Sequence, residues 1–307
     1  MTLDRWNILI ILTFVVWGTM HPPLKIVSDA LPPLLVNLLR FSLALGVLTP
    51  FMLRQNRIPT IRDLLKISAL GIVGIALYGV LVVAGLHRST AVNSSILLNT
   101  HPVIAAFVAP LLIQEKHLHR RGIVGIIVGF LGVTVVVTNG FHLGGVLDMK
   151  YLQGNLLLLL SALCLAVYAM CSKFFIPAYG SLVTTYFAVL AGTLMLLLST
   201  LITGDIASLS QVSLTHFLCI GYIAIVVTAI AWVVWFKAIE RIGVIRAETL
   251  FFLIPISGVI TSAVFLDEPI TGMTLAGAAL ILAGIYLVQK KPVSPLRRRN
   301  VSTRKND

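Results

Sequence analysis

Acidic residues are scarce in this chain: eleven Asp and Glu stand among 307 residues, against 23 Lys and Arg. Most of the eleven fall in polar stretches or at the ends of apolar runs, so the sequence offers no central carboxylates to relay protons or bind sodium. Cysteine is equally sparse. Cys164, Cys171 and Cys219 lack Cys-x-x-Cys spacing and fall within or beside apolar runs, so they read as packing residues rather than disulfide partners or metal ligands. No Gly-x-x-x-x-Gly-Lys-Ser/Thr loop occurs, which removes ATP as a direct energy source. Nothing marks a cofactor, a metal site or a catalytic group. An intramembrane lipid-modifying enzyme would need clustered His or Asp within the membrane, and His117 with His119 lie in a basic loop without acidic companions.

What the chain has is apolar residues in long runs. At 58% hydrophobic and 11% charged, with a mean hydropathy of +1.00, it cannot cover a water-soluble globule with polar surface. Its solvent is a lipid bilayer. A bilayer core of about 30 Å needs roughly 20 apolar residues per helix. The runs are too long and Leu-rich for the alternating strands of a barrel. The pattern predicts an all-α membrane protein with ten transmembrane helices at about 7–27, 34–53, 64–86, 91–113, 121–138, 152–176, 181–203, 212–236, 244–266 and 272–289. The first run lacks a small-residue cleavage site and reads as a retained helix, not a signal peptide.

A net charge of +12 would suggest nucleic acid in a soluble protein, but here the basic residues gather in alternate short loops. Arg54, Arg57, Arg62 and Lys66 mark the second connection, Lys116, Arg120 and Arg121 the fourth, and Lys237, Arg241 and Arg246 the eighth. With Arg5 and the basic tail 291–307, they predict a multi-pass protein of the cytoplasmic membrane with both termini in the cytoplasm. No nucleic acid partner is expected.

The chain is also duplicated. Pro102 and Glu115 recur as Pro255 and Glu268, both at a separation of 153, each pair enclosing an apolar run. Gly125 and Gly132 answer to Gly277 and Gly284, and Trp17-Gly18 to Tyr168-Ala169. The two units are 7–140 and 152–290, with five helices each. An odd number of helices sends the second copy into the membrane upside down, so the repeat is inverted. The loop after Glu115 carries Lys116, Arg120 and Arg121, whereas its counterpart after Glu268 has no basic residue. Inverted repeats permit alternating access around a midplane site.

In Trp17-Gly18, Arg40, the two Pro-to-Glu segments and the glycine-spaced helices that follow them, the chain resembles the drug/metabolite transporter superfamily, specifically its EamA-type ten-helix carriers. The resemblance covers residues from about 8 to 290. It implies a secondary carrier of a small organic metabolite, an amino acid or related solute, most simply an exporter. A membrane scaffold or regulatory subunit is the alternative. A homodimer is compatible with this reading but not required by it.

Several residues are candidates for the site. The fourth helix carries Asn93, Ser94, Ser95, Asn99, Thr100 and His101, and Ser95 and Asn99 share a face. This cluster either binds neighbouring helices or forms a polar wall of the cavity, with His101 as a hydrogen-bonding group rather than a fixed charge. Arg40 lies about two turns inside the second helix, where it snorkels, anchors a carboxylate or makes a gating bond. Trp17, Tyr78, Tyr168 and Trp232 fall in helices that line the cavity in the carriers this chain resembles, and Trp235 reads as an interfacial anchor. Glu248, just over a turn into the ninth helix, is expected at a cytoplasmic gate or paired with Arg246 or Arg241. Glu115 and Glu268 are expected at helix ends as gates or structural pairs, and Pro22, Pro102 and Pro255 as hinges that free backbone carbonyls.

Overall fold

The computed structural model describes residues 5–114, 119–139, 148–266 and 270–290. Glu115, Glu268 and the tail 291–307 lie outside them. The described residues form ten helical spans long and apolar enough to cross a membrane: Ile8–Ser28, Pro33–Met52, Ile61–Leu86, Asn93–Leu112, Arg120–Thr138, Met149–Ser172, Ile176–Thr203, Leu214–Ile242, Val244–Thr261 and Gly272–Gln289. No strand occurs among the described residues. This is the all-helical architecture that the apolar runs predict.

The packing suits lipid rather than water. Along the seventh span Thr184, Thr185, Thr193 and Thr200 are buried, while Leu194, Leu198, Leu201 and Ile202 are exposed. Thr193 and Thr200 donate to the carbonyls of Val189 and Leu196, one turn back, so their hydroxyls enter the interior already satisfied.

Departures from regular helix recur in both copies. The third span turns into π-helix over Ile72–Leu77 and the eighth over Ile223–Ile230. The fourth span breaks at Asn99 and Thr100, between helices Ala91–Leu98 and His101–Leu112. The ninth tightens into a 3₁₀ turn, Leu250–Phe252, between Val244–Thr249 and Leu253–Leu266. The first span breaks between Arg5–Gly18 and His21–Ser28. Pro22, Pro102 and Pro255 therefore each stand in the first turn after an interruption, where a missing N–H forfeits no helical bond.

The fifth and tenth spans pack through glycine. A Cβ at Gly125 would stand 2.7 Å from the carbonyl oxygen of Gly284, and one at Gly132 would stand 2.7 Å from that of Gly277. As one number rises the other falls, so these equivalent helices of the two copies run antiparallel.

Several boundaries shift by a few residues, and two of the shifts bear on the site. The seventh span starts at Ile176 rather than 181, but it kinks at Gly180 (φ 83°, ψ 163°), so the regular helix begins where the apolar run does. The eighth continues six residues beyond 236 to Ile242, past an ion pair of 2.7 Å between Lys237 and Glu240. The ninth follows after Gly243 alone, whose φ of 86° suits glycine and reverses the chain within one residue.

Candidate functional site

An aromatic centre joins the two halves. Trp17 of the first span sits with ring centroids 4.8 Å from Phe251 and 5.9 Å from Trp235, and Trp235 lies 5.7 Å from Trp232 and 5.9 Å from Tyr168. Phe41 of the second span closes one edge against Trp232 at 5.4 Å. All six rings are buried.

The π-turn of the eighth span supplies the polar contacts that hold two of these walls. Widening a helix to i→i+5 bonding leaves carbonyls available to side chains, and such turns concentrate at functional sites. Trp17 Nε1 donates to the carbonyl of Val227 at 2.7 Å. Thr228 Oγ1 donates to Ile223 O at 2.9 Å and accepts from Arg40 Nε at 2.5 Å. Arg40 also lies 5.1 Å from the Phe41 ring, within electrostatic reach of Tyr78. No carboxylate among the described residues lies within 4 Å of its guanidinium. The aromatic centre thus has a cation at its edge that a hydroxyl orients and that pairs with no carboxylate among the described residues.

Glu248 is where the structure departs furthest from the sequence reading. Its carboxylate is wholly buried. Oε2 lies 2.7 Å from His101 Nδ1, and Oε1 accepts from Trp235 Nε1 at 3.1 Å. Its partners are these two residues, not Arg246 or Arg241. His101 stands midway along the fourth span, so Glu248 is a central carboxylate of the kind that the sequence does not suggest. The reason is geometric: the one-residue turn at Gly243 starts the ninth span inside the bundle, and counting from its end underestimates depth. The same extension of the eighth span carries Trp235 into the core, with 1% of its surface exposed, instead of to the interface.

The other expected residues divide. Trp17, His101, Tyr168 and Trp232 meet in the centre, and Arg40 borders it. Asn99 Nδ2 donates to Ser95 O at 2.7 Å, closing the end of the helix that precedes the break in the fourth span. Asn93 faces the sixth span, 3.4 Å from Asn155 Oδ1, and Ser94 and Thr100 bond within their own helix. Phe251 and Thr228 escaped the sequence reading. A threonine inside the otherwise apolar run Ile-Ala-Ile-Val-Val-Thr-Ala-Ile, in a chain that also carries an arginine inside its second span, was the available signal for Thr228. Apart from this centre, an open cavity of about 570 Å³ lies between the third, sixth and seventh spans, lined by Asp63, Lys66, Cys171, Phe175 and Tyr179.

The profile of the EamA-like transporter family matches residues 4–138 and, again, 152–289. The chain belongs to that family. An uncharacterized transporter of Archaeoglobus fulgidus is 26% identical over 94% of this chain and 100% of its own length. A probable amino-acid metabolite efflux pump of Salmonella typhimurium is 28% identical over 91% of this chain and 93% of its own. A probable terminal-alkyne amino-acid exporter of Streptantibioticus cattleyicolor is 26% identical, with 96% of each chain covered. A chain of known crystal structure superposes with a TM-score of 0.75 at 19% identity, covering 91% of this chain and 96% of that one, which shows a shared fold. This EamA-like protein is a multi-pass membrane transporter and not an enzyme.

Proposed function

We propose that this EamA-like transporter is an alternating-access secondary carrier that exports an amino acid or a related metabolite across the cytoplasmic membrane, with both termini in the cytoplasm. The observation that carries the reading is the aromatic centre walled by both sequence copies, with Arg40 at its edge. Rings from the first, second, sixth, eighth and ninth spans suit an apolar or aromatic side chain. The guanidinium suits a carboxylate, for which arginine offers a planar fork. Trp17, Arg40, Tyr78, His101, Tyr168 and Trp232 line the solute's path in this reading, with Ser95 and Asn99 beside the break that leads to it. The names of the relatives from Salmonella and Streptantibioticus favour the same solute class.

Alternating access is supported by the antiparallel fifth and tenth spans and by irregular turns that recur in both copies, as expected for two halves that exchange conformations. Because one chain carries both halves, a second copy is not required. The test is counterflow into liposomes containing the purified protein, with a panel of neutral, aromatic and charged amino acids and related organic acids. Exchange of at least one amino acid above protein-free liposomes is the expected result. Exchange of organic acids alone would redirect the substrate class, and no exchange with any member would overturn the reading.

A further inference from the structure

We propose that the His101–Glu248 pair binds a coupling proton and makes the carrier a proton/solute antiporter, an inference that rests on the alternating-access reading. A buried ion pair adds little stability over apolar residues of similar volume. What it supplies that an apolar pair cannot is a change of charge, and histidine is the side chain suited to that change near neutral pH. With neutral imidazole and an ionised carboxylate the site bears one negative charge. One added proton brings it to zero, whichever partner holds it.

The surroundings leave that proton as the neutralising charge. No Lys or Arg among the described residues lies within 4 Å of Glu248. On its own helix Arg246 is two positions away, and its carbonyl accepts from Gln289. On the eighth span Lys237 pairs with Glu240 and Arg241 lies over the Trp6 ring. On the tenth Lys290 lies over Tyr286. On the sixth Tyr168 lies behind Trp235, and the fourth span presents His101 itself.

The pair also breaks the symmetry of the duplication. The separation of 153 that relates the two prolines sets Ser95 opposite Glu248 and Ile254 opposite His101. Prolines, π-turns and packing glycines recur because both halves need them to fold and move. This pair occurs once, so the fold shared by the two halves does not account for it.

Charge balance gives the coupling rule. The centre closes into low dielectric when the pair is neutralised, either by a proton or by the cationic amino group of a solute. When it opens inward, the proton leaves to cytoplasmic water and the solute's ammonium takes its place. When it opens outward, the solute leaves and a proton from the external water binds. One proton enters for each solute exported, and the two occupants exclude each other.

Two measurements on the full chain test this, with L-phenylalanine as the transport probe. Infrared pH-difference spectra of the purified protein should contain a carboxyl band that is absent in Glu248→Gln and displaced in His101→Gln. In liposomes with the membrane potential clamped, an acidic lumen one pH unit below the outside should drive about tenfold accumulation of the probe, the limit for one-for-one exchange. The ratio with and without the gradient should fall to one in Glu248→Gln. Absence of phenylalanine counterflow in the parent would sink the choice of solute, and the infrared titration would still decide the proton site. Counterflow in the parent without a response to the gradient overturns the proposal, as does a carboxyl spectrum unchanged by Glu248→Gln. If Glu248→Gln does not fold, the His101→Gln spectrum decides in its place, and an undisplaced band there counts against the pair.

Discussion

Trp17 and Tyr168 hold equivalent places in the two sequence copies, and each packs on the π-turn of the other copy's third helix. The indole of Trp17 donates to Val227 O within Ile223–Ile230. The ring of Tyr168 lies against Gly74 within Ile72–Leu77, so close that a Cβ at Gly74 would stand 2.2 Å from Tyr168 Cγ. Both pairs of positions differ by 151 residues, 17 to 168 and 72 to 223. The relationship is reciprocal in packing but not in bonding: Trp17 has its hydrogen bond, whereas the buried Tyr168 hydroxyl has no partner among the described residues.

If the halves exchange conformations during transport, that asymmetry reverses, and Tyr168 gains a carbonyl of the first copy's π-turn while Trp17 releases Val227. Tyr168→Phe should then leave thermal stability in detergent unchanged or slightly raised, because no bond is lost from the state described here. It should slow counterflow by about two- to tenfold, the equivalent of one hydrogen bond of roughly 0.5–1.5 kcal/mol missing from the opposite state. Trp17→Phe should lower the melting temperature instead. Parental transport by Tyr168→Phe would remove the reciprocal exchange from the mechanism.

With both termini in the cytoplasm, as proposed, an inverted repeat would put the loop at His117 in the cytoplasm and its counterpart at Thr271 outside. Single cysteines at these positions, in a background with Cys164, Cys171 and Cys219 replaced, should react differently with an impermeant thiol reagent on whole cells. Thr271→Cys is expected to label and His117→Cys to label only after lysis. Equal labelling of both positions in intact cells contradicts the inversion.

Much of this architecture is legible in the sequence because bilayer physics constrains it strongly. Runs of about 20 apolar residues, alternate basic loops and the Pro102/Pro255 register lead to ten helices in two copies. Depth within the bundle is harder to read. Glu248 and Trp235 both look peripheral when residues are counted from helix ends, yet the hairpin at Gly243 and the continuation of the eighth span to Ile242 carry both to the centre. The π-turns leave no mark in Ile- and Val-rich segments, since their extra carbonyls are defined by the side chains that reach them from other spans.

The glycine seam between the fifth and tenth spans gives a direct test of packing. A Cβ at Gly284 would stand 2.5 Å from both Gly125 O and Gly129 N, which are backbone atoms that cannot turn aside. Gly284→Ala should therefore destabilise the protein by about 1–3 kcal/mol, the usual effect of overpacking. Gly46, also within a span, has nothing within 4 Å of an added Cβ, and Gly46→Ala should be neutral or stabilising by up to about 1 kcal/mol through helix propensity. Melting curves in detergent compare the two, and equal effects would show that the seam yields more readily than its backbone contacts imply.

Arg40 separates a solute anchor from a structural cation. Its Nε is held by Thr228, and a role confined to that bond requires only a donor at the right place. Binding a carboxylate requires the positive charge, and bidentate binding requires the guanidinium fork as well. For an anchor, Arg40→Lys should retain part of the apparent affinity for an amino acid and Arg40→Gln should lose at least about 1.5 kcal/mol, more than tenfold. Thr228→Val should weaken affinity less, because the guanidinium keeps its charge but loses the hydroxyl that aims it. Each variant is compared at matched amounts of folded protein, with counterflow measured over a range of solute concentrations. Parental affinity in both Arg40→Gln and Arg40→Lys would reduce Arg40 to a side chain that holds the second span against the eighth, and the carboxylate of the solute would have to be bound elsewhere in the centre.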